Sequence, residues 1–476
     1  MTPFSRTKDL ASRLVRFLRR KPKILIALAL ALAVLATTGV WVYRATTIAL
    51  VAVPEDILNG KTLPPLPAGY RLITAGDEAR KGHGKIAFSV ETEIIEDRAA
   101  LPKSVDSLAL VSRDYRVPVE GGGTKLLSEL APGETALPLN GQYLDNPEYP
   151  AIAFRFARIA SSRGKKVPAA LERWLSQAFP EAPKDEVVFV AAVGDLMPGR
   201  GVERIFARSD GAERVFGDTL PILRSNDLMI GNLEGAVTEG NAQATKSYTF
   251  KYGTAVLPVL KKAGFTYLML TNNHSFDYGA EGFADTRKAV RAAGFATSGV
   301  GENLAEAKRF WRTQIKGTPI SVISCGAYPV ERTGFDGAKT AAALESRPGI
   351  LWESGDIPAL VKAEKATGAF VIVCVHGGEE YRFTPSARQT AFYRALADSG
   401  ADAVFGSHPH VLQPIERRGN ALIVYSLGNF LFPGMGGMSG AEDSEIVRLG
   451  VVRGRIVYRE VYPAKLDGTR VALAKR

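Results

Sequence analysis

At 476 residues, with 46% apolar and 23% charged side chains, the chain exceeds one ordinary domain and can bury two or three proper cores. Its net charge of +11 is concentrated: residues 1–23 carry eight basic side chains against the single acid Asp9, leaving only +4 for the other 453 residues. A basic tail of this kind excludes a broad nucleic-acid-binding face, and two cysteines, Cys325 and Cys374, exclude a disulfide scaffold.

Behind the basic tail, Ile24 to Tyr43 is twenty residues without a charge, long enough to cross a hydrocarbon core as a helix. Trp41 and Tyr43 stand where an aromatic belt places them. Length favours an uncleaved anchor over a signal peptide cut near Thr37-Thr38-Gly39 or Ala45. The basic bias then keeps residues 1–23 in the cytoplasm and puts everything after Tyr43 outside the cell membrane. Residues 44–69, with Pro54, Pro64, Pro65 and Pro67, read as an extended tether. Residues 70–185 alternate short β-like runs with Gly/Pro turns and one helix near Ala169 to Leu175, a small α+β accessory module without a chemical motif. His83, between Gly82 and Gly84, reads as a solvated loop residue.

Character changes at Val187. Val187 to Val193 is a continuous apolar run, as expected of a strand buried on both faces. Further apolar runs follow at Asp227–Ile230, Tyr267–Leu270, Ile320–Cys325, Val371–Val375, Val404–Phe405 and Leu422–Tyr425. Helical stretches lie between them, at Val256–Ala263, Asp285–Ala293, Ile357–Ala366 and Ser386–Ser399. This alternation predicts an α/β domain over residues 186–465, with helices covering a largely parallel sheet. Residues 466–476 are set apart as a C-terminal tail. Both cysteines fall in buried strands and are expected as free thiols.

In such sheets ligands bind outside the carboxyl ends of the strands. The strand ends here carry Asp195, Asn232, Glu234, Asn273, His274, His376, His408 and His410. His408 and His410 can reach one point if Pro409, whose φ is fixed, makes the turn. Singly, Asp195 could cap a helix, the asparagines could shape turns, and His376 could be a core histidine bonded to backbone. Convergence of six segments favours a site. Carboxylate, amide and imidazole ligands suit Mn, Fe or Zn. Two ions sharing a carboxylate could hold a phosphoryl group and activate water, with His274 free to protonate a leaving oxygen.

Gly194-Asp195, Gly231-Asn232-Leu233-Glu234, Asn272-Asn273-His274 with Asp277-Tyr278-Gly279, His376-Gly377-Gly378-Glu379-Glu380-Tyr381, Gly406-Ser407-His408-Pro409-His410-Val411 with Gln413, and Tyr425 to Phe430 occur in that order. The series, from Val187 to Pro433, resembles that of the CapA/PgsA family of capsule, or poly-γ-glutamate, biosynthesis proteins. That family is similar to calcineurin-like metallophosphoesterases. The resemblance implies a four-layer α/β sandwich, and family members commonly face outward from one N-terminal transmembrane helix.

Carried over by position, the resemblance makes Asp195, Glu234, Asn273, His376, His408 and His410 metal ligands, and His274 with Asp195 the catalytic pair. Glu380, Tyr381, Arg382, Gln413 and Asn429 look like substrate-binding additions. Arg382 either pairs with an anionic group or is an ordinary surface arginine. Two positions depart from the phosphoesterase pattern: Met197 where a histidine is usual, and Asn232 where an aspartate is. Both weaken a second metal position, so one ion is expected rather than two. The expected protein is membrane-anchored and outward-facing, acting in capsule or poly-γ-glutamate synthesis or export with a metal-dependent hydrolase-type site. The alternative is a non-catalytic component of a capsule synthesis or export complex that binds anionic polymer; no nucleic-acid partner is expected.

Overall fold

A computed structural model describes residues 49–53, 63–74, 86–95, 108–146, 152–161, 166–178 and 186–474. The basic tail, the expected span Ile24–Tyr43 and His83 lie outside them. No helix among the described residues is long and apolar enough to cross a membrane. The chain divides into two compact units, Met1–Asp114 with Ile152–Pro183, and Tyr115–Ala151 with Lys184–Arg476.

In the first unit, strands Ala49–Val53, Tyr70–Thr74 and Ile86–Ile95 run parallel, and Ile152–Ser161 pairs antiparallel with the last of them. The helix Ala169–Ala178 lays Leu171, Trp174 and Leu175 against Val51, Val53, Phe88 and Val90. Trp174 donates from its indole to the Pro64 carbonyl at 2.9 Å. Tyr115–Ala151, although inside the stretch read as the accessory module, belongs to the larger unit. Tyr143 explains part of this: its ring packs edge-on against Phe189 and Tyr458, and its hydroxyl donates to Glu460 at 2.6 Å.

The second unit contains two large sheets beside two two-stranded ones. The large sheets are formed by β1 (Val188–Leu196), β2 (Leu228–Leu233), β3 (Tyr267–Met269), β4 (Trp311–Ile315), β5 (Thr318–Ala327), β6 (Phe370–Gly377), β7 (Ala403–Ser407), β8 (Ile415–Arg418), β9 (Ala421–Val424), β10 (Asn429–Leu431), β11 (Asp443–Val452), β12 (Arg455–Asp467) and β13 (Arg470–Leu473). The first sheet has the order β3-β2-β1-β11-β12-β13, with β10 against the end of β1. The second has the order β4-β5-β6-β7-β9-β8, parallel except at its two edges. Residues 466–474, read as a tail, close the first sheet through the β12–β13 hairpin.

Alternation along the strands makes four layers. Val188, Val190 and Ala192 of β1 share one core with Phe370, Ile372 and Cys374 of β6, sheet against sheet. Ala191 and Val193 turn the other way, onto helical residues such as Phe206, Leu257 and Phe283. Val371, Val373 and Val375 turn outward onto Ile357, Val361, Phe392 and Leu396. The order is therefore helices, sheet, sheet, helices, and the single largely parallel sheet read from strand alternation is two mixed sheets. Cys374 faces the inter-sheet core and Cys325 the outer helices, and both thiols are free.

The parallel strands set the candidate residues level with one another at their carboxyl ends. Asp195 is in register with Asn232 and Asn429, and His376 with Ser407.

Candidate metal centre

Asp195, Asn232, Glu234, Asn273, His274, His376, His408 and His410 are all buried. Asn232 is tied most firmly. Asn272 donates to the Leu233 carbonyl (2.8 Å) and accepts from the His274 amide (3.2 Å), which fixes its own orientation. It then donates to Asn232 Oδ1 at 2.9 Å, so the Asn232 NH₂ must face the other way. That NH₂ lies 2.8 Å from Asp195 Oδ1, 3.3 Å from Glu234 Oε2 and 3.1 Å from His376 Nδ1. Asn232 thus offers this cluster a neutral donor rather than a further carboxylate.

The imidazoles divide by environment. His376 Nδ1 accepts from Asn232, which places its proton on Nε2, within 3.0 Å of Asn273 Oδ1 and 3.1 Å of His408 Nδ1. Burial, and then the neighbouring imidazoles, hold His376 and His408 well below the usual histidine range, so both stay neutral. Burial also pushes His410 down, but Glu234 and Asp195 outweigh it and raise the group to about 10. Its Nδ1 lies 3.2 Å from Asp195 Oδ2 and 2.9 Å from Asn429 Oδ1.

Among the ligand-type residues of this centre, Glu234 carries a buried oxygen without a hydrogen-bond partner. Its carboxyl is raised well above the ordinary range by burial, then by Asp195, with His410 opposing. Its Oε1 is buried without a hydrogen-bond partner, 3.7 Å from His274 Nε2 and 3.8 Å from His410 Nε2. An unpaired buried acceptor costs about 1–3 kcal/mol, more if charged. A cation between these groups removes that cost. Two donor sets could hold one: Asp195, Glu234 and His410, or Glu380, His408 and His410, each with ligand atoms within 4.8 Å of one another. Because His410 belongs to both, the donors fit one ion better than two.

The turn at the histidine pair differs from the one expected at Pro409. His408 (φ 98°) and His410 (φ 57°) themselves take left-handed backbone, since the proline ring cannot. Their ring centroids stand 5.9 Å apart, His408 beside His376 and His410 beside Asp195. Of seven non-glycine residues with positive φ among the described residues, these two, Tyr381 and Arg200 surround this centre. Such strain persists where surrounding structure demands it, often at functional sites.

The remaining expected residues are distributed unevenly. His274 Nδ1 lies 2.6 Å from Asp277 Oδ2, which aims Nε2 at Glu234; burial lowers its pKa and Asp277 opposes the shift. Tyr381 places its ring 5.9 Å from that of His410. Asn429 commits its NH₂ to the His410 and Ala441 carbonyls, so it positions the imidazole rather than lining an opening. Gln413 accepts from Gln389 (2.9 Å) and donates to the Arg382 carbonyl (2.7 Å), bracing a loop. Arg382 is exposed, 3.5 Å from Glu379, and the structure does not bring it to the centre. Met197 is buried in the core between the first sheet and its helices.

Sequence reasoning placed Asn272 and Asp277 in a motif without giving them a role, and missed Lys246, Glu331 and Arg200. Asn272 and Asp277 flank the Asn273-His274 pair, and the three-residue step from His274 to Asp277 was an available signal. Lys246 had none. Its side chain, without exposed surface, pairs with Asp277 and Glu331 at 2.9 Å each and donates to the Asn273 carbonyl at 2.8 Å.

The layered α/β sandwich and its strand-end cluster define a protein with a mixed carboxylate, amide and imidazole centre. The sequence profile described as "Bacterial capsule synthesis protein PGA_cap" matches residues 189–434, the span that builds this centre, and the chain belongs to that family. It is 34% identical over 312 residues to the PGA biosynthesis protein CapA of Bacillus subtilis (strain 168), covering 64% of this chain and 79% of that protein. Over 290 residues it is 34% identical to the capsule biosynthesis protein CapA of Bacillus anthracis, covering 58% of this chain and 67% of that one. A probable polyglutamine synthesis accessory protein of Mycobacterium tuberculosis (strain ATCC 25618 / H37Rv) is 27% identical over 343 residues, covering 62% of this chain and 89% of that protein.

Proposed function

We propose that this chain is a membrane-anchored, outward-facing protein of capsule or poly-γ-glutamate synthesis or export. Its centre is a metal-dependent hydrolase-type site that acts on a phosphoester or on an amide of an anionic capsular polymer. The observation that carries the catalytic reading is Glu234 Oε1, a buried oxygen without a hydrogen-bond partner beside Asp195 and His410. The order of layers, helices outside two packed sheets, is the one that a calcineurin-like metallophosphoesterase would share. Relatives named for capsule and PGA biosynthesis support the biological setting, and the uncharged run Ile24–Tyr43 supports the anchor.

Asp195, Glu234 and His410 would hold one Mn, Fe or Zn ion, with His408 and Glu380 as the competing set. When bound, the ion supplies Lewis-acid polarisation and makes water a stronger nucleophile at neutral pH. The protein does the rest. Asp277 keeps a proton on His274 Nδ1, so the Nε2 facing the centre is free to exchange one with a reacting group. Asn273 and Asn232 fix the His376 ring by hydrogen bonds on both nitrogens.

A second reading, a non-catalytic polymer-binding or scaffold component of a synthesis or export complex, is favoured by Asn232, whose amide already satisfies the groups a second ion would bridge. Elemental analysis of the full chain in detergent separates the two. We expect about one equivalent of Mn, Fe or Zn per chain. Absence of metal, with no uptake of any of the three, removes the enzyme. With metal present, hydrolysis of generic phosphodiesters or γ-linked glutamate oligomers, lost in His408→Ala, supports the first reading; binding without turnover moves the protein to the second.

A further inference from the structure

Arg200 is a site-side cation that the expected mechanism does not use. It follows Pro198-Gly199 in the loop after β1 and takes left-handed backbone at φ 51°. Its guanidinium lies over two aromatic rings, 5.1 Å from the centroid of Phe250 and 5.8 Å from that of Phe432. Each ring has its other neighbour in the metal centre. Phe250 stacks on His274 at 4.3 Å, and Phe432 meets His410 edge-on at 5.1 Å. Arg200 therefore stands one aromatic layer from both imidazoles.

Its seat is built. Nη1 donates to the Pro433 carbonyl at 2.8 Å, and a Cβ added to Gly434 would come within 2.9 Å of the same nitrogen, so the glycine keeps the space open. Its partners set it apart from three other arginines of this unit. Arg287, Arg388 and Arg448 each pair with a glutamate, while among the described residues no carboxylate pairs with Arg200. The side chain is exposed and borders a cavity of 370 Å³, together with Gln243, Tyr248, Thr249 and Lys251.

We propose that Arg200 is the anion-binding residue of this site, taking an oxyanion of the substrate (a carboxylate or a phosphate) in the groove beside the Phe250 ring. Cation–π contact with two rings and the Pro433 bond pre-order a guanidinium that keeps free N–H donors, which is what a bidentate oxyanion needs. A planar, fixed fork loses less freedom on binding than an exposed, unsupported arginine such as Arg382 would. The groove's volume is at the small end for ligand sites, enough for one unit of a chain that continues into solvent. This inference rests on the proposed function for the identity of the reacting centre, but not for its own test.

The test is calorimetric binding to the full chain in detergent, with and without Mn²⁺, using a γ-linked glutamate tetramer and inorganic phosphate as separate probes. We expect Arg200→Gln to weaken the probe that binds by at least about tenfold, with the metal content of the purified chain unchanged. Arg200→Lys should fall between, since it keeps charge and loses the planar fork. Response to the tetramer alone assigns the anion as carboxylate, and response to phosphate alone as phosphoryl. Wild-type affinity in Arg200→Gln, or binding of neither probe by the metal-loaded wild type, overturns the proposal. A chain that takes no metal but still loses probe affinity in Arg200→Gln would retain Arg200 and discard the hydrolase.

Discussion

Among the described residues of the larger unit, two glutamates each bury an oxygen that has no hydrogen-bond partner, and they lie in contrasting places. Glu234 follows β2 at the carboxyl edge of the first sheet, facing His274 and His410 beside Asp195. Glu445 sits within antiparallel β11, opposite Pro463, and burial alone raises it to about 7. The same orphaned atom occurs in both. Only at Glu234 do other ligand-type groups converge on it from separate strands. An unpaired acid is therefore weak evidence for a site, and its company decides the matter.

The largest expected effect breaks the comparison at Glu234. Glu234→Gln should lower metal affinity more than about 100-fold, the upper range for removing even an outer supporting group of a metal site. Elemental analysis after dialysis reads it. Because burial and Asp195 raise the Glu234 carboxyl, the acid costs the metal-free chain stability as pH rises above the ordinary carboxylate range. The same variant should then melt higher than wild type in chelator at pH 7.5. A variant that keeps its metal removes Glu234 from the ligand set.

Next comes the amide that holds the acids apart. Asn232→Asp replaces the donor shared by Asp195, Glu234 and His376 with another acceptor. In chelator this should cost about 3 kcal/mol, as uncompensated buried charge does. In excess Mn²⁺ it should admit a second equivalent. An unchanged melting curve with an unchanged metal count would show that the Asn232 amide is not the internal donor described above. Lys246→Met tests the brace behind His274: it strands Asp277 and Glu331, and should also cost about 3 kcal/mol. By contrast Asp398→Asn, which breaks the exposed pair with Arg418, should cost under about 1 kcal/mol.

Much of the centre was legible because each ligand-type residue ends an apolar run, and a parallel strand delivers its last side chains to one edge. Asp195, Glu234, His376, His408 and His410 come together for that reason. Other features escaped because their cause is not local. A run such as Val187–Val193 announces burial on both faces, but not that one face meets a second sheet while the other meets helices. Nothing local marks Tyr143; only β12 brings Glu460 and Tyr458 to it, which is why residues 115–151 looked like part of the preceding module. Lys246 carries no local signal; only the fold supplies the two acids that pair with it. Arg382 had the better sequence argument than Arg200, directly following the motif His376 to Tyr381, yet among the described residues no aromatic seat holds it.

The smallest expected effect returns to Glu445. With a folded pKa of about 7 against an ordinary value of 4.5, the folded chain binds the proton more tightly than the unfolded one. Below pH 4.5 both states are protonated and the group contributes no difference. Between 4.5 and 7 stability falls as pH rises, because the folded state holds more protons. Above pH 7 the penalty is constant, about 2 kcal/mol after allowing for the partial exposure of the side chain. Glu445→Gln should flatten this slope, leaving stability at pH 4 near wild type and raising it at pH 8, as read from denaturant melts in chelator. Metal content should not move in this variant. A slope that survives in Glu445→Gln would assign the pH dependence to Glu234 and its neighbours. A loss of metal would mean that burial of an unpaired oxygen, without converging ligands, was sufficient after all.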